Sequence, residues 1–578
     1  MSDATEGEET PPSYLKLFHL LRHGVVASLV LGLLGGLLLP LYTDEVGWRL
    51  QERAWIDGFD KLYSDQCGPN TLSLPPFFMW PVRWYSGIFN LHFAEPYWVR
   101  LSGVLYACAW LYLLLALIRR LARNRTERHM IAVIACTLIG LGCTPLLMVW
   151  SRPEQPIILT LTATLLIASR SWQAPGNRFE PFADFAYSKT YASPEIAWAR
   201  SLGIAALAMV ALSYHFKALI TMPVFAAAIL MASRGPRALL PRAVALAVLM
   251  GAALAAMHYW SARLACPLDP LINREFNRQN LGARIVNNAG PTGLGGLLQM
   301  GWTVLSNLRF DAYIDSAAPQ VVPMSRWLVA GRVSADEMQG WRGGMEVIWA
   351  LAGAAGLTAA LAALWQQGRR KVLACDAVMA LILLAVAAAW CASQFVRHDY
   401  EVSFELPLLI LAMVMGLASP HGLGWLKRAL PVLAMALGPL MILSLVLVGG
   451  LYGPPLVAAL DAPAYLPQQP YSVPLFARTH SESDILGAAA RCGLSPRTPA
   501  RNLLIDDVTY FTFMASHTPQ HYLGVLPPRT RGSIEDPLLY LDKRQSSGIV
   551  MGCNKLPEEL RDRARRQGSF CCLAPPDW

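Results

Sequence analysis

Long apolar runs divided by short basic loops dominate the chain. A helix that crosses a hydrocarbon core of roughly 30 Å needs about 20 apolar residues. Runs at or near that length fall at 23–41, 99–118, 130–149, 155–169, 200–215, 218–233, 240–260, 345–365, 372–392, 402–418 and 429–450. They predict an all-α polytopic membrane bundle of about 11 transmembrane helices. The runs at 155–169, 200–215 and 218–233 are short for a span. The first run is too long for a signal-peptide core and lacks a small-residue cleavage site, so it reads as a retained anchor. Residues 1–13, "MSDATEGEETPPS", are polar and acidic and read as a disordered tail.

Composition agrees. Of 578 residues, 54% are hydrophobic and 15% are charged, well below the roughly 25% charged content of soluble domains. The net charge of +9 belongs to the loops and not to a nucleic-acid-binding face. Alternate loops carry Arg119, Arg120, Arg123, Arg125 and Arg128, then Arg170, Arg178, Lys189 and Arg200, then Arg234, Arg237 and Arg242, then Arg369, Arg370 and Lys371, then Lys427 and Arg428. The short loops between them hold single cations: Arg152, Lys217 and Arg397. Positive loops stay cytoplasmic, so the N-terminus is expected inside. The long segments 42–98, 262–344 and 452–578 are then extracytoplasmic, as in a multi-pass protein of a bacterial inner membrane with a periplasmic C-terminal domain.

The expected layout is therefore a membrane domain over 14–451 and a soluble domain over 452–578. In the latter, helix-like and strand-like stretches alternate: "ESDILGAAARCG", "NLLIDD", "VTYFTFMAS", "HYLGVL", "SGIVMGC", "PEELRDRARRQG" and "SFCCL". That pattern predicts a small α/β domain. It either binds an acceptor or braces the membrane loops. Asp506 and Asp507 end a strand, where such sheets bind ligands, although turn residues look the same. Cys67, Cys266, Cys492, Cys553, Cys571 and Cys572 fall in outer segments, where disulfides form. A Cys67–Cys266 bridge and pairing among the last four are one reading and free thiols at some of these positions the other, with connectivity open. Within the first outer segment, "DEVGWRLQERAWIDGF" and the proline-broken "SLPPFFMWPVRWYSGIF" read as helices lying in the membrane interface.

Polar clusters recur at the outer edges of the spans. Asp44 and Glu45 follow the first run, and Arg152 and Glu154 sit in "SRPEQP". His215 and Lys217 sit in "SYHFKALITMP", and Arg397, His398, Asp399, Tyr400 and Glu401 precede the run at 402–418. Each has a structural alternative. Asp44 and Glu45 suit a helix N-terminus, Lys217 suits snorkelling, and Arg152 and Glu154 suit a mutual ion pair. His398 and Tyr400 suit the membrane interface. Gathered in one cavity, the same groups would set carboxylates beside cations. That arrangement suits a base removing a proton while cations stabilise an anionic leaving group.

With "YTDE", "VRLSGVLYA", "SRPEQP" and "FKALITMP" in these places, the chain resembles the GT-C superfamily of membrane glycosyltransferases, in particular the bacterial aminoarabinose transferases and protein O-mannosyltransferases. The motif resemblance covers roughly residues 14–260. It implies an enzyme that moves a sugar, usually with inversion, from a polyprenyl-phosphate carrier to a hydroxyl of a lipid, glycan or protein on the extracytoplasmic face. It also implies Asp44 as catalytic base, with Glu45 the neighbouring acid of the motif and Glu154 orienting acceptor or sugar. Lys217, Arg397 and His215 are the candidates for the carrier phosphate. Arg152, His398 and Tyr400 complete the expected substrate-binding set. Some members bind a divalent metal; the sequence itself shows no compact carboxylate set that assigns one. No nucleotide-binding glycine fingerprint follows a strand in the inner loops, which argues for a lipid-borne donor. The competing readings are a polytopic transporter and a non-catalytic envelope-assembly protein. Transporters place their charges near the bilayer midplane between internal repeats, a pattern the sequence does not show.

Overall fold

The structure is a computed structural model. It describes residues 13–42, 45–46, 49, 75–141, 144–172, 193–264 apart from 234, 374–393, 402–419, 424–458, 472–496, 503–513, 520–522 and 547–575 apart from 557, with isolated positions at 295–296, 298–299, 301–302, 361, 365 and 460.

The apolar runs form helices. In chain order these are α1 (Ser13–Gly35), the surface helix α2 (Trp80–His92), α3 (Pro96–Leu121), α4 (Arg125–Gly140), α5 (Thr144–Met148), α6 (Glu154–Ala168), α7 (Pro194–Tyr214), α8 (Met222–Met231), α9 (Leu239–Leu264), α10 (Cys375–Ser393), α11 (Val402–Ala418) and α12 (Gly424–Ala458). Among the described residues, five segments are long and apolar enough to cross a membrane: Lys16–Leu38, Pro96–Leu121, Pro194–Tyr214, Pro236–Ala262 and Cys375–Ser393. The run at 345–365 lies almost wholly outside the described residues.

Two expectations about spans change. The run at 130–149 is not one helix. It breaks after Gly140, where Leu141 turns extended, and resumes as the short α5. Pro145 explains the restart, because proline fits the first turn of a helix but not its interior. The run at 218–233 opens as a 3-10 turn over Phe216–Thr221 before α8.

Helix α6 is the hub. It packs against α3, α7, α8 and α11, while α4 packs against α1, α11 and α12. A helix enclosed on every side has no need of a polar face, and α6 buries Ile157, Ile158, Leu161 and Leu165. Two of its threonines are satisfied locally: Thr160 Oγ1 and Thr162 Oγ1 donate to carbonyls one turn back. Large apolar side chains face outward on other helices, including Leu20, Leu31, Leu105, Tyr112 and Leu254. Such a belt is the surface a bilayer covers. From the α2 stretch, expected to lie in the membrane interface, Phe77 (79% exposed), Trp84 and Ile88 project outward.

The tail forms the expected α/β unit. Strands β3 (Leu503–Ile505), β4 (Gln520–Tyr522), β5 (Gly548–Gly552), β6 (Arg565–Gln567) and β7 (Phe570–Leu573) make one sheet in the order β4-β3-β5-β7-β6. β3 runs parallel to β4 and β5, and β7 is antiparallel to β5 and β6. Helix α13 (Ala477–Arg491) covers the sheet, with short helices α14 (Tyr510–Phe513) and α15 (Glu558–Arg561) at its margins. The "PEELRDRARRQG" stretch is helical only over α15. Its second half is strand β6, which turns into β7 through Gly568 at φ +56°, a conformation that favours glycine. Disulfides Cys492–Cys572 and Cys553–Cys571 staple α13 and the β5 end to β7. Cys67 and Cys266 lie outside the described residues.

The tail is built onto the segment that joins α1 to α3. Strand β1 (Leu41–Tyr42), immediately after the first anchor, pairs antiparallel with β2 (Ser472–Val473), with Leu41 opposite Val473. Glu95 accepts hydrogen bonds from Arg478 N, Thr479 N and Thr479 Oγ1 at the start of α13. Tyr97 stacks on Phe476, and Tyr97 N donates to Leu475 O. A shared apolar core joins Leu41, Val46, Phe89 and Val99 to Ile485, Val550 and Phe570. These contacts tie the tail to the segment between α1 and α3.

Candidate functional site

The site grows from the segment that leaves the first anchor. Glu45 is fully buried, and both its oxygens are occupied. Oε2 accepts from Tyr42 N at 2.8 Å and from Arg100 Nη2 at 2.6 Å, and Oε1 accepts from Ser151 N at 2.7 Å. Arg100, inside α3 and equally buried, also donates to Leu39 O, Pro40 O and Val149 O at 3.1, 2.9 and 3.0 Å. A charge this deep persists only when paired and fully hydrogen-bonded. The Arg100–Glu45 pair therefore locks the exit of the first anchor to the loop that precedes α6.

The "VRLSG" stretch acts as a unit in this joint. Ser102 Oγ and Ser151 Oγ lie 2.8 Å apart, and Arg49 Nη2 donates to Ser151 Oγ at 3.2 Å with its guanidinium 4.5 Å from the Phe89 ring centre. At Gly103, a Cβ would lie 1.9 Å from Val149 O; only glycine admits that approach. Gln155 Nε2 then donates to Gly103 O and Met148 O. Tyr42 stacks on Trp150 across the same joint, with ring centres 5.6 Å apart.

Two residues along the loop, Glu154 opens α6 with its carboxylate at the positive end of the helix. Arg152 Nε donates to Glu154 Oε2 at 3.3 Å, and Lys217 Nζ bonds Glu154 Oε1. Lys217 Nζ also stands 4.8 Å from the centre of the Trp390 ring, near the end of α10, a cation–π geometry. The backbone holds Lys217 in place: His215 Nδ1 accepts from Lys217 N at 3.0 Å, capping the 3-10 turn. The His215 ring lies against Phe216 and Trp260.

Behind Trp390 stand two further groups. Glu405, buried in α11, has Oε1 3.5 Å from Cys391 Sγ, and Phe404 packs edge-on against Trp390. Glu405 sits in the apolar run 402–418, where a carboxylate is costly and so marks a partner or a function; that position was the signal in the sequence. The same argument applies to Arg100 within 99–118.

The structure thus links three of the four polar edges. The first (Glu45) touches the second (Ser151, then Arg152 and Glu154), and the second touches the third (Lys217, with His215 behind it). The fourth carries Arg397, His398 and Tyr400, which lie outside the described residues, as does Asp44. The described ends of α10 and α11 bracket that fourth edge, and α10 reaches the site through Trp390. The described groups, Glu45, Arg100, Ser151, Arg152, Glu154, His215 and Lys217, sit at one end of the bundle. The opposite end holds the basic loops, where Arg120 Nη2 donates to Arg170 O and Arg200 Nη1 to Ala232 O.

In the tail, Asp506 is a turn residue. Its oxygens accept from Val508 N, Thr509 N, Thr509 Oγ1 and Gly552 N. Asp507 is paired with Lys555. Their bonding is that of a structural corner. Among the described residues, no set of three or more His, Cys, Asp and Glu side chains is placed to hold a metal ion.

No family model matches the chain, and no curated protein matches it. Solved structures resemble it, among them the following. The archaeal oligosaccharyltransferase AglB from Archaeoglobus fulgidus, in complex with an inhibitory peptide and a dolichol-phosphate, is 10% identical over 92% of this chain and 69% of its own, at a TM-score of 0.44. The Archaeoglobus fulgidus oligosaccharyltransferase in complex with Zn and sulfate is 11% identical over 91% and 68%, at 0.39. Its apo form is 11% identical over 92% and 69%, at 0.41.

Proposed function

We propose that the chain is a glycosyltransferase that takes a sugar from a polyprenyl-phosphate carrier and delivers it to a hydroxyl of a lipid, glycan or protein at the extracytoplasmic face of a bacterial inner membrane. The observation that carries this reading is the Arg152–Glu154–Lys217 chain, held at the same membrane end as the segment that bears Asp44. A carboxylate next to the first anchor and two cations at the head of α6 and α8 are the parts a displacement at a sugar phosphate needs. The one-sided clustering of charge also favours it over an alternating-access transporter.

In this mechanism Asp44 takes the proton of the acceptor hydroxyl as its oxygen attacks the anomeric carbon. The bond from that carbon to the phosphate oxygen breaks from the opposite face, so the configuration inverts. The carrier phosphate leaves with the electron pair, and Lys217 and Arg152 meet its charge. Glu154 holds both cations in place and keeps them from collapsing onto the Asp44 carboxylate. His215 fixes the Lys217 backbone. Both oxygens of Glu45 are committed to Tyr42, Arg100 and Ser151, so Glu45 positions the Asp44 segment and leaves substrate contact to its neighbour. Arg397, His398 and Tyr400, in the segment between α10 and α11, are assigned to binding the donor.

The test is turnover of a radiolabelled polyprenyl-phosphate sugar by the purified chain in detergent, with Asp44→Asn beside it. The wild type transfers label and Asp44→Asn loses it by about a hundredfold or more, the size of a general-base contribution. Equal turnover would remove Asp44 as the base, and no turnover with any polyprenyl donor would remove the enzyme reading.

A further inference from the structure

At the basic end of the bundle, far from the site above, a cavity of about 830 Å³ opens between α1, α3, α4 and the last turn after α6. Arg22, His23, Arg119, Arg120, Arg128 and Arg170 line it, and none of its lining residues is acidic. The rest of the wall is apolar, with Val26, Leu115 and Leu166 along the helices and Tyr112, 72% exposed, at the mouth toward the bilayer belt.

Orientation signals alone do not account for this arrangement. Cations that merely mark a cytoplasmic loop spread into water, whereas these converge from four chain segments on one hollow. Arg119 and Arg120 suit the last turn of α3, where a helix favours positive charge. Arg128 does not have that excuse. It lies in the first turn of α4, the end at which the helix dipole disfavours a cation. Its Nε is buried without a hydrogen-bond partner, and burial together with Arg22, Arg119 and Arg125 holds its guanidinium below the ordinary value. Groups placed at a cost in this way call for an anion with several acceptor oxygens.

We infer that this cavity binds the phosphate of an anionic phospholipid from the adjacent leaflet, with the headgroup among Arg22, Arg119, Arg120 and Arg128 and an acyl chain along the Val26–Leu115–Leu166 wall. The apolar wall, continuous with the exposed belt, is what selects a lipid over free phosphate; basic pockets between membrane helices take phospholipid headgroups in this way.

The experiment uses the full chain, delipidated in neutral detergent and titrated with phosphatidylglycerol or phosphatidylcholine while bound lipid is counted by native mass spectrometry. The wild type binds phosphatidylglycerol in preference to phosphatidylcholine. Arg119→Gln with Arg128→Gln weakens phosphatidylglycerol by about thirtyfold, about fivefold per cation. The charge-keeping pair Arg119→Lys with Arg128→Lys retains most of the affinity. Arg237→Gln with Arg242→Gln, basic residues that do not line the cavity, changes nothing. Leu115→Trp fills the acyl wall and weakens lipid even where the arginine variants fold poorly. Unchanged phosphatidylglycerol affinity in Leu115→Trp or in the glutamine pair overturns the inference, as does an equal loss in the Arg237/Arg242 control. Displacement of the lipid by millimolar inorganic phosphate, with phosphate binding equally to Leu115→Trp, would assign the cavity to free phosphate instead.

Discussion

Replacing Arg100 by Met tests how the site is held. The variant removes four hydrogen bonds, to Leu39 O, Pro40 O, Val149 O and Glu45 Oε2, and leaves Glu45 buried with two backbone donors and no counter-charge. Breaking a buried pair by deleting one partner costs about 3–5 kcal/mol. Each buried carbonyl left unsatisfied adds about 1–3 kcal/mol, less than additively because the three lie on one joint. A total of about 5 kcal/mol is expected, a large share of the ~5–15 kcal/mol that stabilises an ordinary domain. The assay is thermal unfolding in detergent, followed by tryptophan fluorescence and by the loss of a monodisperse peak. Adding Glu45→Gln to Arg100→Met removes the orphaned charge, so the double variant recovers part of the loss with a coupling of about 1–3 kcal/mol. If Arg100→Met melts with the wild type, or the two changes simply add, the joint between the first anchor and the second outer loop is not the structural element argued for here.

Other outcomes follow from the same geometry. Gly103→Ala places a Cβ against Val149 O, and expression and melting temperature fall by as much as for a core-overpacking change, about 1–3 kcal/mol or more. Lys217→Met keeps the fold but lowers transfer from a polyprenyl-phosphate sugar by about a hundredfold, as loss of one charge-stabilising donor does; Lys217→Arg retains part of it, and an unaffected rate removes Lys217 from the carrier phosphate. Glu95→Ala strips the cap from α13, costs about 1 kcal/mol, and speeds protease cleavage between the membrane helices and the tail. Reduction of Cys492–Cys572 and Cys553–Cys571 destabilises the tail by about 2–5 kcal/mol, seen as a separate low-temperature transition, while the helical bundle keeps its own.

The sequence was most legible where a single physical rule governs. Apolar length foretold the helices, and alternate basic loops foretold that Arg119, Arg120 and Arg170 share one end. The alternation in the tail foretold an α/β unit. It was least legible where two rules compete. The run at 130–149 has the composition of one span, but Pro145 and the turn at Leu141 divide it. The basic, helix-prone end of "PEELRDRARRQG" became strand β6 because β7 offered an edge and Gly568 supplied the turn. Glu45 looked like chemistry from its position beside Asp44; its role in the joint emerges only once Arg100, more than fifty residues away, is brought to it. Arg100 and Glu405 were visible all along as charges inside apolar runs, a signal of pairing that names no partner. That the tail would brace the Asp44 segment through β1–β2 could not be read locally, because both strands are two residues long.

The most direct measurement is photo-crosslinking of a polyprenyl phosphate that carries its reactive group beside the phosphate, mapped by peptide mass spectrometry on the purified chain. The account predicts label on the peptides around Arg152–Glu154 and His215–Lys217, competed by unlabelled sugar donor and lost in Lys217→Met. Label confined to the opposite end, around Arg119 and Arg128, or left unchanged by Lys217→Met, would contradict it.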